Sequence, residues 1–307
     1  MRIFRALVVA GMLVAFALAM LGSWTRINVA GMTCPDWPLC RGAVVPVLHG
    51  GVVLEWLHRL LAFFETFIVA GIVVSGLRLR SAIRPLGGML IALAAVFVLQ
   101  VLLGGVTIKF ANSPLSVMIH WGAAMLLLAV LSSLVVVAFT YDSRQTPAPP
   151  ERRRGTAPLA VAAACAFVTM CAGAYVSSSG FGLACPSVPG CGPAFLGENV
   201  GQTLQMTHRL LAAALVLCAV VAAVLLPAYQ RRATTALRVA LVLLALQITL
   251  GVLNVVWLLP TALREAHAAN AVATFLAFVT ATVLASFEAA SVPLAGSSSR
   301  RVFSGNV

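Results

Sequence analysis

The chain has 307 residues, of which 61% are hydrophobic and only 9% charged, and its mean hydropathy is +1.04. A soluble domain carries far more surface charge than this, so the rules of the bilayer apply. The formal net charge of +12 does not point to nucleic acid, because the basic residues fall in short gaps between apolar segments and read as topology signals.

Taken in chain order, the apolar runs predict eight transmembrane helices, over 6–24, 52–77, 86–108, 115–140, 157–176, 203–229, 236–259 and 266–290. The expected fold class is therefore all-α, a polytopic membrane protein. The first run also fits a signal peptide, with Arg2 and Arg5 ahead of it and Ala17-Leu18-Ala19 near its end; the internal repeat argues against cleavage. Arg2, Arg5, Arg78, Arg80, Arg84, Arg144, Arg152, Arg153, Arg154, Arg231, Arg232, Arg238, Arg300 and Arg301 fall on one side of this layout. They make up fourteen of the twenty Lys and Arg. Only Arg26, Arg41, Lys109 and Arg264 fall on the other. The positive-inside rule then puts both termini in the cytoplasm.

The two halves carry the same landmarks. Gly22 stands twelve residues before Cys34, and Gly173 twelve before Cys185. CPDWPLC (34–40) answers CPSVPGC (185–191), and EWLHRLLA (55–62) answers QMTHRLLA (205–212). Gln100 precedes His120 by twenty residues, as Gln247 precedes His267, and Gly104 corresponds to Gly251. A repeat of about 150 residues is one four-helix unit rather than a solenoid module. Four helices is an even number, so the copies run parallel, as two tandem four-helix bundles. The expected division is an N-terminal half over 1–140, a Pro- and Arg-rich cytoplasmic linker over 141–157, a C-terminal half over 158–290 and a mobile tail over 291–307.

Four of the five histidines stand one to two turns inside spans that enter from the outer side: His58, His120, His208 and His267. His49 lies in an outer loop and reads as solvated. An ionisable residue within a span is a functional hypothesis by default. Facing histidine pairs in a four-helix bundle suit haem iron. The sequence offers no third or fourth ligand at that depth and no HExxH, which disfavours zinc. We expect two haem sites, His58 with His120 and His208 with His267. Arg59 and Arg209 each follow a ligand by one residue and are placed to pair with haem propionates or to snorkel to the interface.

The acidic residues break the symmetry. Glu55 is three residues before His58 on the same helix face, and its counterpart is Gln205. Glu65, seven residues beyond His58, is answered by Leu215. Only the first site has a titratable group able to move a proton, so the first half reads as reactive and the second as a cofactor site. The cysteines Cys165, Cys171 and Cys218 lie in apolar runs and read as packing residues. Cys34 with Cys40, and Cys185 with Cys191, admit disulfides in an oxidising compartment. Two readings stay open for them: a staple over each site, or exchange with an outer thiol carrier. The staple is favoured for Cys185 and Cys191.

GMTCPDWPLCRG followed by EWLHRLLA resembles the cysteine-containing bacterial branch of the haem A synthases, and the likeness covers nearly the whole chain. That family oxidises the C8 methyl of haem O to a formyl group, giving haem A for terminal oxidases. The resemblance implies Glu55 as the essential carboxylate, His58 and His120 as ligands of the substrate haem, and His208 and His267 as ligands of a haem b cofactor. It links Cys34 and Cys40 to haem handling or electron delivery. It implies the bacterial plasma membrane as location, with the haem sites toward the outer face. Membrane lipid is a partner by composition. Pathway order adds the haem O-forming farnesyltransferase and oxidase assembly factors as partners to test, and a homo-oligomer is left open. Two rival readings use the same histidines: a di-haem b electron-transfer cytochrome, and a haem O carrier without chemistry. Histidines at one depth put the haems side by side, which disfavours the cytochrome; a carboxylate in one half only argues against the carrier.

Overall fold

The computed structural model describes residues 1–141, 155–192 and 195–291. Among these there are eight long helices: α1 Arg2–Ile27, α2 Gly51–Leu77, α3 Leu86–Lys109, α4 Pro114–Thr140, α5 Thr156–Ser178, α6 Val200–Leu225, α7 Arg231–Val256 and α8 Thr261–Ser291. All eight are long and apolar enough to cross a membrane. The all-α membrane class expected from composition is what the chain forms. Most of the expected linker and tail, 142–154 and 292–307, lies outside the described residues.

Several helices start or end beyond the apolar runs that announced them. The sixth span, expected from residue 203, begins at Val200 because Asn199 caps it, accepting from the Gln202 amide at 3.0 Å. It ends at Leu225, ahead of Pro227, rather than at 229. The seventh begins at Arg231 rather than 236, and Glu288 accepts from the Arg232 and Ala233 amides at 2.7 and 3.0 Å. A carboxylate at a helix N-terminus satisfies donors that the helix cannot. The eighth begins at Thr261 rather than 266. Hydropathy cannot see these ends, since the residues that build them are polar.

α1 packs on α2 and α4, and α3 packs on α2 and α4. In the second half α5 packs on α6 and α8, and α7 packs on α8 and, more lightly, on α6. Between these groups α4 meets α5 and α8, and α1 meets α8. α4 is the most enclosed helix, burying Leu127, Leu128, Leu131, Leu134 and Val137. Alanines line the facing surfaces, Ala162, Ala163 and Ala166 on α5 and Ala281 and Ala285 on α8. Small residues let backbones approach where no hydrophobic force separates protein from lipid. Ser132 of α4 and Thr280 of α8 share a hydrogen bond of 3.1 Å across the contact.

The repeat extends to backbone detail. The α3–α4 turn places Ala111 and Asn112 at φ +48° and +53°, and the α7–α8 turn places Leu258 and Leu259 at +59° each. In the first turn the Asn112 amide donates to Thr107 O, and in the second Leu259 donates to Asn254 O, both at 2.8 Å. Non-glycine residues rarely adopt positive φ, so two consecutive ones at matching places mark one turn used twice.

Candidate functional site

His58 on α2 lies within electrostatic reach of His120 on α4, and His208 on α6 within reach of His267 on α8. All four are half-buried. Each ring lies against a glycine of the preceding helix. A Cβ built on Gly22 would stand 3.0 Å from His58 Cε1, and one on Gly173 2.8 Å from His208 Cε1. The same test gives 3.5 Å from Gly104 to His120 and 3.3 Å from Gly251 to His267. Four glycines therefore seat four imidazoles. The sequence held the signal for this, because these glycines keep their register in both halves, but not the contact itself.

Polar neighbours differ between the halves. His208 Nδ1 is 3.1 Å from the Thr169 carbonyl; the Leu18 carbonyl, at the matching place on α1, faces His58 more loosely, outside strict hydrogen-bond distance of its buried Nδ1. Gln247 Nε2 lies 3.2 and 3.1 Å from the two ring nitrogens of His267. Its carbonyl accepts from Asn270 Nδ2 at 2.8 Å. In the first half Gln100 Nε2 is 3.5 Å from His120 Nε2, and Gln100 Oε1 has no partner. The same partners thus recur in both halves, at shorter distances in the second. Among the described residues no group of three His, Cys, Asp or Glu gathers as an ion site.

Glu55 and Arg59 form an i,i+4 ion pair, Nη2 to Oε1 at 2.7 Å, and the pair is built into the loop between α1 and α2. Glu55 Oε2 accepts from the Cys34 amide at 2.9 Å and from Thr33 Oγ1 at 3.0 Å. Arg59 donates to the carbonyls of Cys34 at 2.8 Å and Asp36 at 2.6 Å, and to that of Leu39. The second half repeats the clamp without the charge. Gln205 Oε1 accepts from the Cys185 amide at 2.6 Å, and Gln205 Nε2 donates to Gly182 O at 2.7 Å. Arg209 donates to the carbonyls of Cys185, Ser187, Pro189 and Gly190. Sequence reading gave both arginines to propionates; in the structure their guanidinium groups are turned to the cysteine loops. The loop carbonyls that hold them have no side-chain signature, so spacing could not reveal the clamp.

Both cysteine pairs are disulfides, Cys34–Cys40 and Cys185–Cys191, with Cα atoms 4.6 and 4.5 Å apart. Cys34, Cys40, Cys185 and Cys191 are all buried. Cys34 and Cys40 pack with Val52 and Trp56 of α2. Cys165, Cys171 and Cys218 are free thiols in helices. His49 lies in the exposed loop, its Nδ1 3.0 Å from Val47 O. Glu65 is fully buried, and neither carboxylate oxygen has a hydrogen-bond partner. It faces α1, where a Cβ on Gly11 would stand 3.5 Å from Oε1.

Beyond the first disulfide, Asp36 accepts from the Arg41 amide at 2.6 Å and the Gly42 amide at 2.7 Å. These bonds, that of Gly42 foremost, hold its carboxyl below the ordinary value of 3.8. A depressed carboxylate contributes stability fully above its ordinary value and loses it as pH falls through the lowered one. The Arg41 and Gly42 amides are therefore expected to stay protected from exchange on acidification past pH 4, and to lose protection only below that. Equal exchange at neutral pH and at pH 4 in an Asp36→Asn variant and the parent would remove Asp36 from this role.

An eight-span helical membrane protein with two paired-histidine sites beneath disulfide loops is the class this arrangement defines. The sequence matches the COX15-CtaA family, described as cytochrome oxidase assembly protein, over residues 5–279. The chain belongs to that family, in agreement with the haem A synthase resemblance. It is also similar to a heme A synthase of Symbiobacterium thermophilum, 37% identical over 54 residues, 18% of either chain. A protoheme IX farnesyltransferase of Haloarcula marismortui is 34% identical over 77 residues, 25% of this chain and 16% of that protein. The matched stretches thus span less than a fifth of either relative.

Proposed function

We propose that the chain is a haem A synthase, an oxidoreductase that converts the C8 methyl of haem O to a formyl group. It would hold haem O between His58 and His120 and a haem b cofactor between His208 and His267. The observation that carries this reading is the pairing of four glycine-seated histidines in two equivalent sites, of which only the first has a carboxylate one turn from a ligand. The donor set suits haem. A carbonyl at His208 Nδ1 fixes the ring and would leave Nε2 free to hold iron, so one histidine pair per half would serve a haem. When bound, haem supplies the oxidising iron chemistry that side chains lack.

The chain's own residues orient the substrate and handle protons. Glu55 accepts hydrogen bonds from Arg59, an amide and a hydroxyl. From there it stabilises positive charge developing at the methyl carbon, or takes a proton from water. Such a carboxylate would accept protons released as the methyl is oxidised; the electrons would go to an oxidant supplied by the haem chemistry. The two four-helix halves, 1–140 and 158–290, are proposed as the substrate and cofactor units. The outer face of a bacterial plasma membrane is the proposed side of both sites, with the termini inside. The similarity to a farnesyltransferase makes the haem O-forming enzyme the first partner to test.

The test is mass spectrometry of haems extracted from protein purified from a host that supplies haem O. Haem A or its hydroxylated precursor beside haem b is the expected result. Two equivalents of haem b alone would replace the reading with an electron-transfer cytochrome, and unmodified haem O alone with a carrier. A second expectation follows from the glycine seats. Gly173→Ala intrudes on His208 at 2.8 Å and should reduce haem b content several-fold, whereas Gly251→Ala, with 3.3 Å, should cost less. Absorbance of the reduced purified protein checks both, and an inverted order would discard the seat.

A further inference from the structure

The clamps leave a question of charge. If haem carboxylates point to the outer surface, the guanidinium groups first suspected of receiving them, on Arg59 and Arg209, already donate to loop carbonyls. Two other cations occupy the contact between α1 and α8. Arg26 stands one turn outward of Gly22, the seat of His58. Arg264 stands three residues, again one turn, outward of His267 on α8. Arg264 and Glu265 are both within electrostatic reach of Arg26. Arg26 spends one donor on Ser177 Oγ at 3.0 Å. The Arg264 amide donates to Pro260 O at 3.0 Å, but its guanidinium makes no hydrogen bond or ion pair among the described residues.

Two like charges brought together in a half-buried seam repel, and the nearby Glu265 offsets them only in part, one carboxylate facing two guanidinium groups. Its Oε2 accepts from Ser23 Oγ at 2.8 Å and its buried Oε1 has no hydrogen-bond partner among the described residues, so the seam keeps a net positive charge. The repeat gives a second argument. The counterparts of Arg26 and Arg264 are Ser177 and Val117, so the matching seam between α4 and α5 has neither charge. The cation pair is a feature of the α1–α8 seam alone, and its arginines come from different halves.

We propose that Arg26 and Arg264 form a shared carboxylate site that binds haem propionates, Arg26 those of the first-half haem and Arg264 those of the second. This rests on the haem A synthase reading and deepens it. The guanidinium fork matches a carboxylate bidentately, and an arriving carboxylate relieves the repulsion between the two cations. Because both halves contribute, occupancy at one haem site alters the charge felt at the other.

The experiment uses the full-length protein in detergent or nanodiscs. The haem b midpoint potential and the affinity for added haem O are measured for Arg264→Gln, Arg264→Lys, Arg26→Gln and Arg209→Gln. Arg264→Gln should lower the potential, since a cation near the propionates favours the reduced haem, and Arg264→Lys should restore most of it. Arg26→Gln should weaken haem O binding about tenfold or more, the loss expected for one charge-assisted hydrogen bond, with haem b content unchanged. Matching thermal midpoints separate these effects from misfolding. If Arg209→Gln lowers the potential and Arg264→Gln does not, the propionates lie at the loop clamps and the proposal is wrong. Unchanged potential and affinity in both seam variants overturn it equally, as does a loss restored by anionic lipid, which would make the site a headgroup site. A parent protein that binds no haem would instead refute the functional reading itself.

Discussion

Glu55→Gln is expected to stop haem O oxidation, by at least about a hundredfold, the lower range for a positioned acid or base, while leaving both haems and both disulfides in place. The second half indicates why the fold should tolerate the change. Gln205 makes the corresponding contacts with an amide: its oxygen accepts from the Cys185 amide and its nitrogen donates to Gly182 O. In the first half the Cys34 amide makes the same contact to Glu55, and Gly31 stands three residues before Cys34 as Gly182 stands before Cys185; its carbonyl accepts from Asn112 Nδ2 at 2.7 Å and has a second lone pair to offer. The variant thus removes charge and basicity and keeps the clamp. Single-turnover formation of the hydroxylated intermediate, beside the haem spectrum, is the readout. Turnover at the parent's rate with normal haem content would leave Glu55 only a structural part.

Arg59→Ala should have the largest effect on stability. It removes the partner of a carboxylate that is 5% exposed and frees three loop carbonyls. Breaking a buried pair on one side costs about 3–5 kcal/mol, because the remaining charge is left uncompensated. Arg209→Ala strips a similar set of carbonyls but leaves a neutral Gln205, so its cost should be nearer that of the lost hydrogen bonds, about 1–3 kcal/mol. The gap between the two variants isolates the contribution of the charge. The loop also shields its disulfide, since Cys34 and Cys40 are at most 1% exposed. Reduction by an external thiol requires access, so Arg59→Ala should make Cys34–Cys40 reducible under conditions in which the parent resists alkylation. A parent disulfide reduced as readily as the variant's would favour the exchange reading of this pair over the staple.

Much of the fold was legible because the bilayer demands it. A chain that must satisfy its backbone without water writes its helices as apolar runs, and eight runs gave eight helices. Their ends were not legible, because Asn199, Arg231 and Thr261 are polar and sit where hydropathy fades. At the site, depth and register were enough to propose His58 with His120 and His208 with His267, which lie within electrostatic reach of each other. The asymmetry of Glu55 and Gln205 was also readable, since it is a difference of residue type at one position. What Arg59 and Arg209 hold was not, because their partners are backbone carbonyls about twenty residues away, to which any sequence contributes alike. Spacing put Glu65 on the face of His58; that it is fully buried, with no hydrogen-bond partner among the described residues, only the packing against α1 reveals.

The pattern of helix contacts has one more implication. α4 meets α5 as α8 meets α1, and α4 and α8 meet each other. That is the bookkeeping of an isologous interface, in which each surface patch is matched by its own copy. The two halves thus meet as the copies of a symmetric homodimer would, yet they are not identical. The first carries Glu55 and Arg26 where the second has Gln205 and Ser177, and the second carries Arg264 where the first has Val117. Two identical chains meeting in this way could not give their two histidine sites different surroundings.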